Sequence, residues 1–394
     1  MQLKFLRYGA AVVALVLAYG AGVLTGVLGS SDDARPAARA TPSPSGSGFL
    51  DQVEQTILQK AAKPVSAADL DRAAVQGMLQ ALDDKWSSYY SPSDFASFEN
   101  VMNGQYTGVG LWVRRDASGD VSVISVQDGS PAQHAGVKPG DIVLAVAGRP
   151  VAGRSIADIV SALRGDAGTA VSLTYRRAGV QRTVTMERTT VATQDVTASV
   201  TDNVMVIKVS AFSRGVADRV RALDATARAN HVRGIVLDLR GDPGGLLDEG
   251  VRTASVFLDG GIVATFVRRD AAPVSLRASG GGDTGTPLAV LVDGGTASAA
   301  EIVAAALQDR QRAVIVGSRT FGKGSVQEPI SLADGSAIEL TVGSYLTPSG
   351  RSLDGVGVQP DVPVSPAASP SVALQEGIEV ISGLLANAGT GGHG

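Results

Sequence analysis

The sequence predicts an α/β core of largely parallel strands in the C-terminal half, preceded by a β-rich module and a helical segment. Three observations lead there. After residue 200, apolar runs such as "VRGIVLDLRG" and "PLAVLVDGG" alternate with helical stretches such as "VADRVRALDATARAN" and "SAAEIVAAALQDR". That is the pattern of strand–helix repeats around a sheet buried on both faces. Between 104 and 190 the runs are short and extended, broken by Gly-containing turns. Between 49 and 100, apolar residues recur at helical spacing. A chain of 394 residues, 44% hydrophobic and 18% charged, is long enough for two or three such units.

Taken in order, the first seven residues carry Lys4 and Arg7, and no side chain from Tyr8 to Ser31 is charged. That run exceeds the roughly 20 residues a helix needs to cross a bilayer. Residues 1–31 are therefore expected to be a cytoplasmic stub and single membrane anchor. The basic end stays in the cytoplasm, placing everything after Ser31 on the extracytoplasmic side of the cell membrane. The alternative is a cleaved leader, with a small-residue site at Ala38-Arg39-Ala40. Residues 32–48, rich in Pro, Ser, Ala and Gly, read as a flexible linker. Region 49–103 is expected to be helical. Leu50, Val53, Ile57 and Leu58 share one face, and a second helix, Ala67 to Leu82, turns Leu70, Ala74, Met78 and Leu82 inward. A third helix starts near Ser93. Over 104–190, "GVGLWVRR" and "DVSVISV" read as strands, Pro131 opens a short helix, and "IVLAVAG" returns as a strand. "IADIVSALRG" is an amphipathic helix and "AVSLTYRRAGVQRTVTMER" a hairpin. The core then spans 191–366, and 367–394 reads as a helix ending in a disordered Gly-rich tail.

Composition narrows the chemistry. There is no cysteine, which excludes disulfides, thiolate catalysis and cysteine-ligated metals. A net charge of −4 argues against a nucleic-acid partner. No acidic or histidine cluster has metal-ligand spacing, so neither a metal nor a cofactor is expected. "GSRTFGKGS" at 317–325 has the G-x-x-x-x-G-K spacing of a phosphate loop. Yet Gly324 stands where a hydroxyl should reach magnesium, extended chain follows rather than helix, and the site would face away from cytoplasmic ATP. The chain has seven lysines against 27 arginines, and Lys323 is the only one after Lys208. Arginine cannot give up its proton in a protein, whereas a buried lysine can, so a lysine in this Gly-rich setting suggests a base. In "VDGGTASAAEI" a strand ends and a helix begins near Ser298. A hydroxyl there lies at the open end of the sheet, beside first-turn amides that face incoming negative charge. The alternative for Ser298 is a helix cap. The turn in "LRGDPGGLL", with paired Gly244 and Gly245, lets backbone approach a substrate closely. Its amides, with that of Ala299, would suit an oxyanion hole.

Residues 107–113, "TGVGLWV", and 129–148, "GSPAQHAGVKPGDIVLAVAG", resemble a PDZ domain. The resemblance implies capture of an extended peptide by strand addition. Gly108, Val109, Gly110 and Leu111 would hold its terminal carboxylate, with Ile159 and Leu163 as pocket walls. Further along, "DLRGDPGGLL" (238–247), "VLVDGGTASAAEIVAAALQD" (290–309), "GSRTFGKGSVQ" (317–327) and "SYLTPSGRSLDGVGVQPDVPV" (344–364) together resemble the carboxyl-terminal processing peptidases. With the PDZ segment and "LDDKWSSYYSP", the likeness covers about residues 50–365. It implies a crotonase-like mixed sheet and a serine endopeptidase with a Ser/Lys dyad. Ser298 would be nucleophile, Lys323 general base and Gln327 the residue that orients the amine. Ala299 with Gly245 or Gly244 would form the oxyanion hole. Expected partners are exported proteins with apolar C-termini, an adaptor or lipoprotein that delivers them, and a second copy through the helices at 49–100. Ala300 stands where a further serine is common, and Gly241-Asp242 where a polar pair is common. The rival reading is a silent PDZ adaptor on a protease scaffold.

Overall fold

A computed structural model describes residues 47–390 except 116–118 and 128. The predicted anchor, almost all of the linker and residues 391–394 lie outside the described residues. Among those described, no helix is long and apolar enough to cross a membrane.

The chain begins with helices α1 (Ser47–Lys60) and α2 (Ala67–Gln80), strand β1 (Ser88–Tyr90) and helix α3 (Pro92–Met102). The β-rich module holds β2 (Gln105–Gly108), β3 (Leu111–Arg115), β4 (Val121–Val126), α4 (Pro131–His134), β5 (Ile142–Val146), β6 (Arg149–Pro150), α5 (Ile156–Leu163), β7 (Ala170–Arg177), β8 (Val180–Glu187) and β9 (Thr189–Ala192). The core follows as β10 (Val196–Thr201), β11 (Val204–Val209), α6 (Val216–Ala229), β12 (Gly234–Asp238), α7 (Leu247–Ala254), β13 (Ile262–Arg268), β14 (Val274–Arg277) and β15 (Leu288–Val292). It ends with α8 (Ala299–Asp309), β16 (Val314–Gly317), β17 (Ser325–Ser331), β18 (Ala337–Leu346), β19 (Val362–Pro363) and α9 (Pro370–Thr390).

The core sheet runs in the order β10-β11-β12-β15-β16-β19. All its pairings are parallel except β10 with β11. Alternation along each strand fills both faces. Met205, Ile207, Leu237 and Val290 pack with α6, α7 and α8, while Val206, Val236, Leu291 and Val316 pack against Ile378 and Ile381 of α9. A second, antiparallel sheet joins β1, β18, β13 and β14, with β17 also on β18. Its Phe266, Val326 and Tyr345 share the cluster that buries α8. Helix α8, apolar over almost its whole length, is thus enclosed on all sides, as an all-round apolar helix must be.

Two expectations change. The faces of α1 and α2 predicted to turn inward are open: Leu50, Val53, Leu58, Met78 and Leu82 are exposed, and Leu79 is the buried residue of α2. Ile57 and Leu70 of the same faces are half-buried, so the predicted stripes are covered only in part. The C-terminal helix also runs on to Thr390, into the stretch read as disordered. Within the N-terminal region, Tyr90, Phe95, Phe98 and Met102 pack against Leu246 and Ala337 of the core. The stretch from β1 through α3 is therefore a wall of the core rather than a separate unit.

Candidate active site

Two Gly-rich turns meet at the carboxyl ends of β12 and β15. The Asp293 Oδ1 accepts the Gly241 and Gly295 amides at 2.9 Å each. The Thr296 hydroxyl donates to the Leu239 carbonyl at 2.8 Å, and the Ala297 amide donates to the Asp242 carbonyl at 2.9 Å. Thr296 thus does the tying of the turns, which leaves Ser298 at the start of α8. Ser298 sits at φ 53° and ψ −119°, a backbone region that side chains rarely adopt.

Gly244 and Gly245 press against this turn. A Cβ on Gly244, at φ +99°, would lie 2.9 Å from Ser298 Cβ and 3.0 Å from the Ala299 nitrogen. One on Gly245 would lie 2.6 Å from the Phe212 carbonyl oxygen. Only glycine fits either position. The Gly244 amide donates to Asp242 Oδ1 at 2.8 Å, so it is already engaged. The oxyanion donors the geometry favours are therefore Gly245 and Ala299. Burial raises the Asp242 carboxyl well above its usual range, and its Oδ2 has no hydrogen-bond partner.

Glu301, one turn into α8, is the functional residue that sequence reading missed. It is fully buried. Its Oε2 accepts the Ser298 amide at 2.9 Å and the Lys323 amide at 2.8 Å. Its Oε1 accepts the Gly322 amide at 2.8 Å and the Thr320 hydroxyl, which itself accepts from the Val358 amide at 2.7 Å. One carboxylate oxygen therefore holds the backbones of residues 298 and 323 side by side. Burial raises the Glu301 carboxyl, and the four donors pull it back. With donors on every side and no acceptor, we read it as ionised. The signal was present as S-x-x-E at a helix start, with an acid inside an otherwise apolar helix.

Lys323 is 3% exposed. Burial lowers its amine to about 8, against the opposing pull of Glu339, Asp84 and Glu301. Its Nζ lies 4.4 Å above the Trp86 ring, and no hydrogen bond joins it to the Ser298 hydroxyl. Gln327, expected to orient the amine, instead donates from Nε2 to the Ser325 hydroxyl at 2.9 Å and the Thr341 hydroxyl at 3.1 Å. The register shift between Val326 and Gln327 aims it there. Its Oε1 is buried with no partner.

In the β-rich module, Gly108, Val109, Gly110 and Leu111 line a cavity of about 330 Å³ together with Trp112, Val160, Leu163 and Arg164. Gly110, at φ +75°, is packed so closely on Ser130 that a Cβ would fall 2.2 Å from it. Ile159 does not line the cavity. It is fully buried in the module's own core, because on α5 it faces the sheet while Val160 and Leu163 face the groove.

Residues 203–364 match peptidase family S41, and residues 122–177 match the PDZ domain family. The solved structure of a photosystem II D1 C-terminal processing protease is 32% identical, with a TM-score of 0.51; the alignment covers 84% of this chain and 90% of that one. This chain belongs to the carboxyl-terminal processing proteases of family S41. The Bacillus subtilis (strain 168) carboxy-terminal processing protease CtpA is 34% identical over 292 residues, 73% of this chain and 62% of that protein. A probable CtpA-like serine protease from Staphylococcus haemolyticus (strain JCSC1435) is 32% identical over 315 residues, 79% of this chain and 63% of that protein. The chain spans less than two thirds of the length of these two relatives. A putative S41 protease from Bacteroides fragilis NCTC 9343, 17% identical with a TM-score of 0.54, shares the fold. Both glycine turns, Glu301 and Lys323 fall inside the stretch that matches the protease family.

Proposed function

We propose that the chain is a membrane-anchored serine endopeptidase that processes or degrades exported proteins from near their C-termini. Ser298 is the nucleophile and Lys323 the general base. What supports this reading is the Glu301 Oε2, which accepts from both the Ser298 and Lys323 backbone amides and so holds those two stretches of backbone together.

A neutral Lys323 amine swings from Trp86 toward Ser298 and takes the proton from its Oγ. The Oγ bonds to the scissile carbonyl carbon, and the negative oxygen is met by the Gly245 and Ala299 amides. The C–N bond then breaks as the Lys323 ammonium gives its proton to the leaving amine. Water, deprotonated by the same amine, releases the acyl group from Ser298. The unpartnered Gln327 Oε1 supports the movement, since it offers an acceptor to an amine that has turned inward.

The PDZ module captures the substrate tail. Its groove takes a terminal carboxylate at Gly108–Leu111 and an apolar side chain between Val160 and Leu163. The anchor at 1–31, the extracytoplasmic placement of the protease, delivery by an adaptor or lipoprotein, and pairing of two copies through the exposed face of α1 and α2 belong to the same reading.

Full-length chain incubated with an unfolded protein of apolar C-terminus is expected to release tail fragments. Ser298→Ala and Lys323→Ala should each lower the rate at least about a thousandfold. Normal cleavage by both variants would sink the dyad, and no cleavage by the unaltered chain would favour a silent PDZ adaptor.

A further inference from the structure

The wall facing the Lys323 amine comes from the N-terminal segment. Trp86 lies in the turn before β1, and its ring face meets the ammonium. The turn is well fixed. The Trp86 amide donates to Asp84 Oδ1 at 3.0 Å, and the Ser87 hydroxyl donates to Asp84 Oδ2 at 2.6 Å. The ring packs edge-on to Phe321, with centroids 6.1 Å apart. The strand that follows supplies the second part. β1 pairs with β18, placing Ser88 opposite Glu339. The buried Glu339 carboxylate accepts from the Tyr90 hydroxyl at 2.6 Å and the Ser88 hydroxyl at 3.3 Å. Residues 84–90 thus supply the aromatic face and fix the carboxylate that together attract the ammonium.

We propose that Trp86 is a positioning residue for the lysine base: its ring face parks the ammonium away from Ser298 and releases the amine when the proton leaves. The proposal rests on the reading of Lys323 as base. A ring quadrupole attracts the cation and gives almost nothing to the neutral amine. Glu339 on β18, Asp84 in the turn and Glu301 on α8 likewise favour only the charged form. Proton loss therefore removes the hold on the rim and the barrier to turning inward in one event. Among the described residues, Lys85, exposed and with its Nζ 4.9 Å from the same ring centroid, is the other cation on Trp86.

The test is the pH dependence of kcat/KM in the full-length chain. Trp86→Leu keeps an apolar wall and removes the quadrupole, so the acid limb should move down by about one pH unit. Trp86→Ala admits water to the ammonium, so the limb should move up. Glu339→Gln should move it down, and Lys85→Met should leave it in place. Equal losses of rate in Trp86→Leu and Trp86→Ala, with the limb unmoved, would reduce Trp86 to a space-filler and overturn the proposal. A second readout needs no substrate. The chain has two tryptophans, Trp86 and Trp112, so Trp112→Phe leaves Trp86 as sole reporter. Its emission should titrate with the same midpoint as the acid limb, persist in Lys85→Met and vanish in Lys323→Met. Persistence in Lys323→Met overturns the proposal. Full cleavage by Lys323→Ala, by contrast, sinks the base assignment itself.

Discussion

Four hydrogen-bond donors converge on Glu301, and an amide in its place would bring a second set of donors toward them. Glu301→Gln is expected to leave at least one buried N–H without an acceptor, at about 1–3 kcal/mol. It would also loosen the Lys323 loop from the Ser298 turn, so kcat should fall about a hundredfold while KM changes little. Steady-state kinetics and a melting curve check both. If Lys323 is the base proposed above, its active form is the neutral amine, and burial lowers that amine to about 8. Activity should then fall about tenfold for each pH unit below that value and level off above it. Ser298 and Lys323 stood out in the sequence because a serine at a helix start and a rare lysine among glycines are local signals. The resting contacts did not. Trp86 reaches Lys323, and Tyr90 reaches Glu339, across more than two hundred residues, and no local pattern encodes such a meeting. Gln327 was expected beside the amine, whereas its orientation depends on a bulge in the β17–β18 ladder.

At the scale of elements, parallel strands and their helices were legible because each is a run of one period with clear breaks. The second sheet was harder to foresee. β1 and β13 each pair with β18 far along the chain, and β13 mixes buried and half-buried positions without a strict alternation. The turn between β12 and α7 leaves little freedom. Gly244→Ala would put a methyl onto Ala297, Ser298 and Ala299 at φ +99°, so it should abolish cleavage while far-UV circular dichroism stays unchanged. Helix α6 carries a different strain. Burial first, and then Asp283, raise its Asp224 carboxyl to about 6, against the pull of Arg228. The folded chain therefore holds that proton more tightly than the unfolded one. The penalty is absent below about pH 4 and complete above about pH 6. Asp224→Asn should stabilise the protein by about 1 kcal/mol at pH 8, after discounting for solvent and for the lost contact with the exposed Arg228. The gain should vanish at pH 4 in paired thermal melts.

Across the whole molecule, the groove proposed to take the peptide is not the property of one unit. Its wall includes Thr193 and Asp195 from the connection into the core, and Ser210 just after β11. The Asp195 carboxylate accepts from the Thr193 hydroxyl at 2.5 Å and from the Ser213 hydroxyl. A tail in the groove therefore touches the joint between module and protease. Val160→Glu should raise KM about tenfold for proteins with apolar tails and leave short blocked peptides unaffected, in parallel assays with the two substrate types. The module itself was legible because its loop and turn residues form two compact blocks. Which side of α5 faces the groove was not, since Ile159 and Val160 are equally apolar and only the sheet beneath decides between them. A last consequence lies in the twisted backbone at the start of α8. A residue without a β-carbon tolerates φ 53° far better than alanine does. Ser298→Gly should thus melt higher than Ser298→Ala, and, with Ser298 as the proposed nucleophile, it would be the better inert bait for catching the protease with an uncut client still threaded through it.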